Sequence, residues 1–340
     1  MSDLSSQQLV SLINNAAEKN TLWFIDEAFH SSCLAAIQPR DNLTIISNRF
    51  DLHQQALALG LNSTFSDFDC PINGVFDAIF LRVAKEKSIV HYLINRAADL
   101  LKVQGVLTLI GEKNEGTKTY IDKAKKFFGS SASAKKNNII YTGEIRFYKK
   151  GIPLPDKSYT QLQTISGDFL SKPGVFGWNK IDQGSAFLIH HLPAILAEQA
   201  PKGNQLLDLG CGYGYLSVMA SKMGDFDVTA TDNNAVALHC SIQNFTHKGI
   251  NGKVVASHCA NTIEQSFDIV VCNPPFHTGF TTDVDLTPLF LQQAKKHLKP
   301  QGYAVFVVNS FIPLEIKAKD VFHSIEIVAK DKHFKVIKLR

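Results

Sequence analysis

Two stretches far apart in the chain carry the same order of signals, and this repeat constrains the fold more than any other feature. "FDAIFLRVAKEK" from Phe76 and "FDIVVCNPPFHT" from Phe267 each open with Phe-Asp and run on as an apolar strand. "LLKVQGVLTLIGEK" from Leu100 and "HLKPQGYAVFVVNS" from His297 then repeat a helix end, a Leu-Lys-x-Gln-Gly turn and a second apolar strand. Two matches in register favour a duplicated domain over coincidence. In both copies the glycine of Gln104-Gly105 and Gln301-Gly302 is expected to supply a positive backbone dihedral after a helix.

The second copy alternates. "QLLDLG", "DVTATD", "KVVAS", "FDIVVCN" and "YAVFVVN" read as short apolar strands, with "YLSVMASKM", "AVALHCSIQNF" and "PLFLQQAKKHL" as helices between them. That alternation implies an α/β fold with a doubly wound, mostly parallel sheet. A length of 340 residues allows two such cores. The expectation is two tandem Rossmann-like domains, the N-terminal one degenerate: residues 1–150, a linker at 151–165 where Gly151, Pro153 and Pro155 interrupt a polar segment, and residues 166–340.

With 45% hydrophobic and 19% charged residues, the composition is that of a soluble globular protein. No apolar run approaches the roughly 20 residues of a membrane span. "MSDLSSQQLVSLINNA" lacks a basic region and a long apolar core, so it reads as an amphipathic helix and not a signal peptide; a cytoplasmic protein is expected. The six scattered cysteines form no paired ligand motif, and no metal is assigned. A net charge of +4 is modest, but between Lys113 and Lys150 ten basic residues face three acidic ones. That run, Lys125 and Lys126 included, reads either as a solvated face or as a phosphate-contacting surface.

The chemistry-bearing motif of the second copy starts at "LLDLGCGYGYLS", where Asp208, Gly210, Cys211, Gly212 and Gly214 build a D-x-G-x-G-x-G turn between strand and helix. Glycines let a ligand approach the backbone, and a helix N-terminus is expected to offer unpaired N–H groups. A dinucleotide loop would be spaced G-x-G-x-x-G. Here Tyr215 takes the last glycine position and an acid precedes the loop, which favours S-adenosylmethionine. Asp232, 24 positions on and followed by Asn233, is placed to accept from ribose hydroxyls; as a bland alternative it would cap the next helix. Downstream, Asn273, Pro274, Pro275 and Phe276 end an apolar strand abruptly. Two prolines stiffen such a turn, so that an amide and a carbonyl point at one spot.

Taken together, "DLGCGYG", "TD" and "NPPF" resemble class I S-adenosylmethionine-dependent methyltransferases that modify exocyclic or amide nitrogen. The resemblance implies that Asn273 and the Pro274 carbonyl accept from the target amine while Phe276 stacks on the base. With "KPGVFGWNKIDQGSAFLI" and "VVNSFIPLE", the chain is similar more narrowly to the bacterial ribosomal RNA guanine-N2 methyltransferases. That implies S-adenosylmethionine as cofactor, 16S rRNA in the small ribosomal subunit as partner, no membrane, and a monomer. It would place Phe176, Asp182, Gly184 and Ser185 at the methionine end of the site, and Asn309, Phe311 and Pro313 at the substrate mouth. His258 and His277 are weaker candidates for contacts. Two alternatives stay open: a paralogue acting on 23S rRNA, and an RNA-binding assembly factor whose basic N-terminal copy is the functional part. Release-factor glutamine methyltransferases also use Asn-Pro-Pro but usually with tyrosine and a helical N-terminal domain, so Phe276 and the degenerate copy argue against them. Of the substitutions at the amine-orienting position, Asn273→Asp, which keeps an acceptor oxygen, is expected to be milder than Asn273→Ala.

Overall fold

The computed structural model describes residues 3–275 and 286–340. The chain divides into two compact units, Met1–Gln161 and Leu162–Arg340. The first holds β1 (Thr21–Ile25), β2 (Leu43–Ser47), β3 (Asn62–Phe65), β4 (Phe76–Arg82), β5 (Leu101–Glu112), β6 (Lys135–Asn137) and β7 (Ile140–Arg146). Its helices are α1 (Leu4–Asn14), α2 (Phe50–Ala58), α3 (Lys87–Leu100), α4 (Thr117–Phe128) and the single turn α5 (Lys157–Thr160). α5 lies in the segment read as a linker, and its Tyr159 is buried in the first unit's core.

The second unit opens with a small antiparallel ribbon, β8 (Gln163–Ile165) and β9 (Phe169–Ser171). Then come β10 (Gln205–Leu209), β11 (Asp227–Asp232), β12 (Gly252–Ala256), β13 (Phe267–Cys272), β14 (Leu298–Asn309), β15 (Ile325–Lys330) and β16 (Phe334–Leu339). Its helices are α6 (Gln183–Glu198), α7 (Tyr215–Ser221), α8 (Ala235–Lys248), α9 (Thr287–Lys296) and α10 (Leu314–Lys317).

The two large sheets have the same topology: β3-β2-β1-β4-β5-β7-β6 and β12-β11-β10-β13-β14-β16-β15. In each, five strands are parallel and the last two are joined antiparallel. The strand order reverses between β10 and β13, the point at which doubly wound sheets open a crevice at their carboxyl ends.

Helices cover both faces of each central strand, which is why these strands read as continuous apolar runs. Side chains still alternate: Leu207, Leu209, Val270 and Cys272 enter one core of the second unit, and Leu206, Ile269 and Val271 the other. Fully burying each Leu, Ile or Val contributes about 1.5–3 kcal/mol relative to exposure.

The Gln-Gly pairs do something other than expected. Neither Gly105 nor Gly302 has a positive φ; in the first copy Gln104 takes it instead, at 67°. Both glycines sit inside long strands, where the pairing shifts register between Phe76 and Ala78 and between Phe267 and Ile269. A Cβ on Gly105 would meet Lys102 O at 2.9 Å and Phe76 O at 3.1 Å, and one on Gly302 would meet Phe267 O at 2.9 Å. Close approach of neighbouring backbone at a shared bulge demands the glycine, a use of glycine in strands distinct from helix capping.

Strand register puts matching positions of the two copies side by side. Trp23 lies opposite Phe80 where Asp208 lies opposite Val271, and two residues past the partners of Trp23 and Asp208 on β2 and β11 stand Ser47 and Asp232. Arg82 ends β4 where Asn273 follows β13. The first copy therefore lacks the acids as well as the glycines.

Candidate active site

The candidate residues of the second unit gather at the carboxyl ends of β10, β11, β13 and β14. Asp208 is fully buried; its Oδ2 accepts from the Ser217 backbone N–H at 2.9 Å and the Ser217 hydroxyl at 2.6 Å. Its Oδ1 is buried with no partner among the described residues. Burial pushes the carboxyl up to about 7, the Ser217 bonds pull it down, and the nearby Asp232 charge adds to the rise. Burial, with the Asp232 and Asp208 charges, also raises the Cys211 thiol, which makes it a packed neighbour and not a nucleophile.

Gly210, Gly212 and Gly214 all have positive φ, at 81°, 56° and 88°, so this turn needs glycine for its conformation. Four of its N–H groups are paired within the protein. Gly210 and Cys211 donate to Thr231 O, Gly212 to Asp232 Oδ2 and Gly214 to Cys211 O, each at 2.9 Å. What the loop offers at Gly212 is backbone without a side chain: a Cβ there would meet nothing nearer than Val175 at 3.8 Å.

Asp232 ends β11 half-buried, and its other oxygen accepts from Asn234 N–H at 2.9 Å. The helix cap is not Asp232 but Asn234, whose Oδ1 accepts from Val236 N–H at 2.8 Å. Asn234 Nδ2 also donates to Gly174 O at 2.9 Å, which ties the segment before α6 to the acidic strand end. Sequence reasoning named Asn233 and missed Asn234; an Asn just ahead of a helical run was the available signal. Tyr213 OH reaches Lys180 O at 3.4 Å, a second tie between that segment and the glycine loop.

Asp182 caps α6, its Oδ2 accepting from Ser185 N–H at 2.8 Å. The same oxygen receives Asn273 Nδ2 at 2.8 Å, and Ser185 Oγ receives that nitrogen at 2.9 Å. Gly184 fits closely between them, since a Cβ there would meet Asp182 Oδ2 and Phe334, each at 3.1 Å, and both side chains would have to give. Asp182, Gly184 and Ser185 thus meet the Asn-Pro-Pro turn. The expected mildness of Asn273→Asp does not survive this geometry, because a carboxylate at 273 would face the Asp182 carboxylate.

Pro274 is buried and Pro275 exposed, while Phe276 and His277 lie outside the described residues. Asn309 ends β14, and Phe176 and Phe311 are exposed aromatics, at 58% and 82%. His258 is half-buried in the turn after β12, ahead of Cys259 and Ala260, which both take positive φ.

Of the basic run in the first unit, Lys135 pairs with Glu144 at 3.3 Å, Lys150 pairs with Asp99, and Arg146 donates to Gln104 O at 2.9 Å. Lys125 and Lys126 sit in the last turn of α4 beside a shallow depression that they line with Asp122, Gly129 and Ser130. Among the described residues no group of acids, histidines and cysteines is arranged to hold a metal ion, and no helix is long and apolar enough to cross a membrane.

Fold and site together define a duplicated methyltransferase of the doubly wound type. The family model "Methyltransferase small domain" matches residues 166–338, and "Methyltransferase small domain N-terminal" matches residues 12–146. Ribosomal RNA small subunit methyltransferase C of Aeromonas hydrophila is 34% identical over 79% of each chain, and that of Shewanella loihica 29% over 78% of each. The Thermus thermophilus enzyme, described as a 16S rRNA N2 G1207 methyltransferase in complex with AdoMet and guanosine, superposes with a TM-score of 0.82 at 23% identity. The match covers 98% of this chain and 91% of that one. The chain belongs to the ribosomal RNA small subunit methyltransferase C family.

Proposed function

We propose that the second unit transfers a methyl group from S-adenosylmethionine to the exocyclic N2 of a guanine in 16S rRNA, within the small ribosomal subunit in the cytoplasm. The observation that carries this reading is the anchored Asn273 amide at the end of β13. A carboxylate only accepts, so the amide end facing Asp182 is the NH2, and the oxygen remains for an outside N–H donor. Relatives named for the small subunit, and a structural neighbour described as acting on guanine 1207, support that substrate.

The cofactor fits what is present. Gly212 presents bare backbone, Asp232 stands at the end of the adjacent strand, and Asp208 keeps a buried oxygen with no partner among the described residues. Asp208, Gly210, Cys211, Gly212, Gly214, Asp232 and Asn233 would hold it, with Asn234 securing the closing segment. When bound, it supplies a methyl group activated on a sulfonium. An exocyclic guanine amine is a weak nucleophile, because its lone pair is delocalised into the ring. The work left to the protein is orientation: Asn273 Oδ1 and the Pro274 carbonyl accept the two amine hydrogens, which turns the nitrogen lone pair out of conjugation and toward the methyl. Transfer would form the N–C bond as the methyl's bond to sulfur breaks, and one amine hydrogen would be lost as a proton to solvent.

Phe176 and Phe311 are suited to stack on splayed bases, and the first unit, with Lys125 and Lys126, to contact phosphates. Supplying labelled S-adenosylmethionine to both ribosomal subunits from unmethylated cells, and mapping the label, tests the reading. Label on one guanine of 16S rRNA is expected; label on 23S rRNA or on protein overturns it.

A further inference from the structure

We propose that Asp182 and Ser185 are positioning residues for methyl transfer, acting through Asn273 by fixing which end of its amide faces the incoming amine. This rests on the function proposed above. The terminal torsion of asparagine is soft and roughly two-fold, so an unanchored Asn273 would present NH2 to the substrate about as readily as oxygen. An amine meeting an NH2 finds two donors and no bond. In this structure both anchors act on the nitrogen, at 2.8 Å to Asp182 Oδ2 and 2.9 Å to Ser185 Oγ. A flip would push Oδ1 against a carboxylate. Asp182 is itself immobilised by capping a 16-residue helix, so the orientation is set by the scaffold.

The first unit provides an internal comparison. "DLSS" from Asp3 opens α1 as "DQGS" from Asp182 opens α6. Asp3 caps α1 through Ser5 N–H at 3.0 Å, takes the Ser6 hydroxyl, and receives Arg82 Nε at 3.1 Å. The same acid, the same serine three residues on and the same strand end therefore meet in both copies. Only the strand-end side chain differs: arginine carries donors alone, whereas asparagine docked by its nitrogen keeps an acceptor. Scaffolding is satisfied by either residue, but holding an incoming N–H requires the second.

The test uses the full-length protein, saturating S-adenosylmethionine and unmethylated small subunits in single-turnover methylation, with cofactor affinity and thermal melting measured in parallel. Ser185→Ala is expected to slow transfer about tenfold, the equivalent of one hydrogen bond to a positioned group, with cofactor Kd within about twofold. Ser185→Thr, which keeps the hydroxyl, is expected to recover most of the rate. In an Asn273→Ala background the Ser185→Ala change should slow transfer by less than about twofold, because the group it positions is gone. Asp182→Ala removes the oxygen that holds Asn273 together with the helix cap, and the part of its loss that acts through Asn273 should show the same non-additivity. Three results overturn the proposal: a wild-type rate for Ser185→Ala, a full tenfold loss persisting in the double variant, or a loss confined to cofactor affinity. A wild-type rate for Asn273→Ala alone instead removes the parent reading of the site.

Discussion

Arg82 ends β4 at the position where Asn273 follows β13, and each side chain docks on the aspartate that caps the first helix of its own unit. In the first unit the place of an acceptor is filled by a buried ion network. Arg82 is 2% exposed, its Nη1 reaches Glu115 Oε1 at 2.8 Å and its Nε reaches Asp3. The degenerate copy kept the scaffold of the site and replaced its chemistry with an internal cation.

That network gives the first prediction. Arg82→Ala leaves the Asp3 and Glu115 carboxylates without the guanidinium they share, and breaking a buried pair of this kind costs about 3–5 kcal/mol. Denaturant unfolding followed by a probe in the first unit should show that loss, with S-adenosylmethionine affinity unaltered. A change below about 1 kcal/mol would mean that the cluster is solvated in solution.

Asp232 should dominate cofactor affinity. Asp232→Ala leaves ribose hydroxyls unpaired and also frees Gly212 N–H and Asn234 N–H, so calorimetry should show binding weaker by about 10- to 150-fold, or about 1.5–3 kcal/mol. Unchanged affinity removes Asp232 from the cofactor site.

Asp208 carries a pH signature. Its carboxyl is raised to about 7 from 3.8, chiefly by burial, so between those values the folded protein holds a proton that the unfolded chain has released. Where the native state binds more protons, stability falls as pH rises. Asp208→Asn removes this dependence. Melting of the variant minus that of wild type should therefore grow in the variant's favour from about pH 4 to about pH 7; a constant difference across that window excludes a buried, titrating Asp208.

The elements most legible in the sequence were those set by local periodicity and by glycine: the alternating strands and helices, the repeat, and the turn at Gly210, Gly212 and Gly214. What was not legible depends on contacts made after folding. Gly105 and Gly302 answer to a neighbouring strand's carbonyl, which no window of sequence contains. The Gly210, Cys211 and Gly212 N–H groups are paired with Thr231 and Asp232, from the next strand. Asn273 meets Asp182 across 91 residues. The repeated Asp-x-x-Ser at the starts of α1 and α6 was a readable sign that the contact exists, though not of what it holds.

Lys125 and Lys126 separate a phosphate surface from a helix end that merely complements its dipole. Reversing both to glutamate should weaken binding to 16S rRNA and flatten its salt dependence, the log–log slope falling by about 0.7–0.9 for each phosphate no longer neutralised. An unaltered slope assigns both lysines to the solvated end of α4.

Asn273 offers the sharpest comparison between two substitutions. Asn273→Ala removes one acceptor for the amine, and by analogy with oxyanion-hole donors should slow single-turnover methylation by about 100- to 1000-fold while cofactor affinity hardly changes. Asn273→Asp keeps two oxygens but sets one of them against Asp182 Oδ2, where the wild-type nitrogen sits at 2.8 Å. Two carboxylates so close do not both ionise readily, so the pair holds a shared proton at a raised apparent pKa. Above that pKa repulsion drives residue 273 away from its anchored position, and the variant should be no faster than Asn273→Ala. Below it, a protonated carboxyl can donate to its neighbour and leave its other oxygen for the amine. The rate of Asn273→Asp relative to Asn273→Ala should thus rise as pH is lowered from about 8 to about 6. Measuring both variants across that range decides the matter: a ratio independent of pH would mean that residue 273 does not face Asp182 during catalysis.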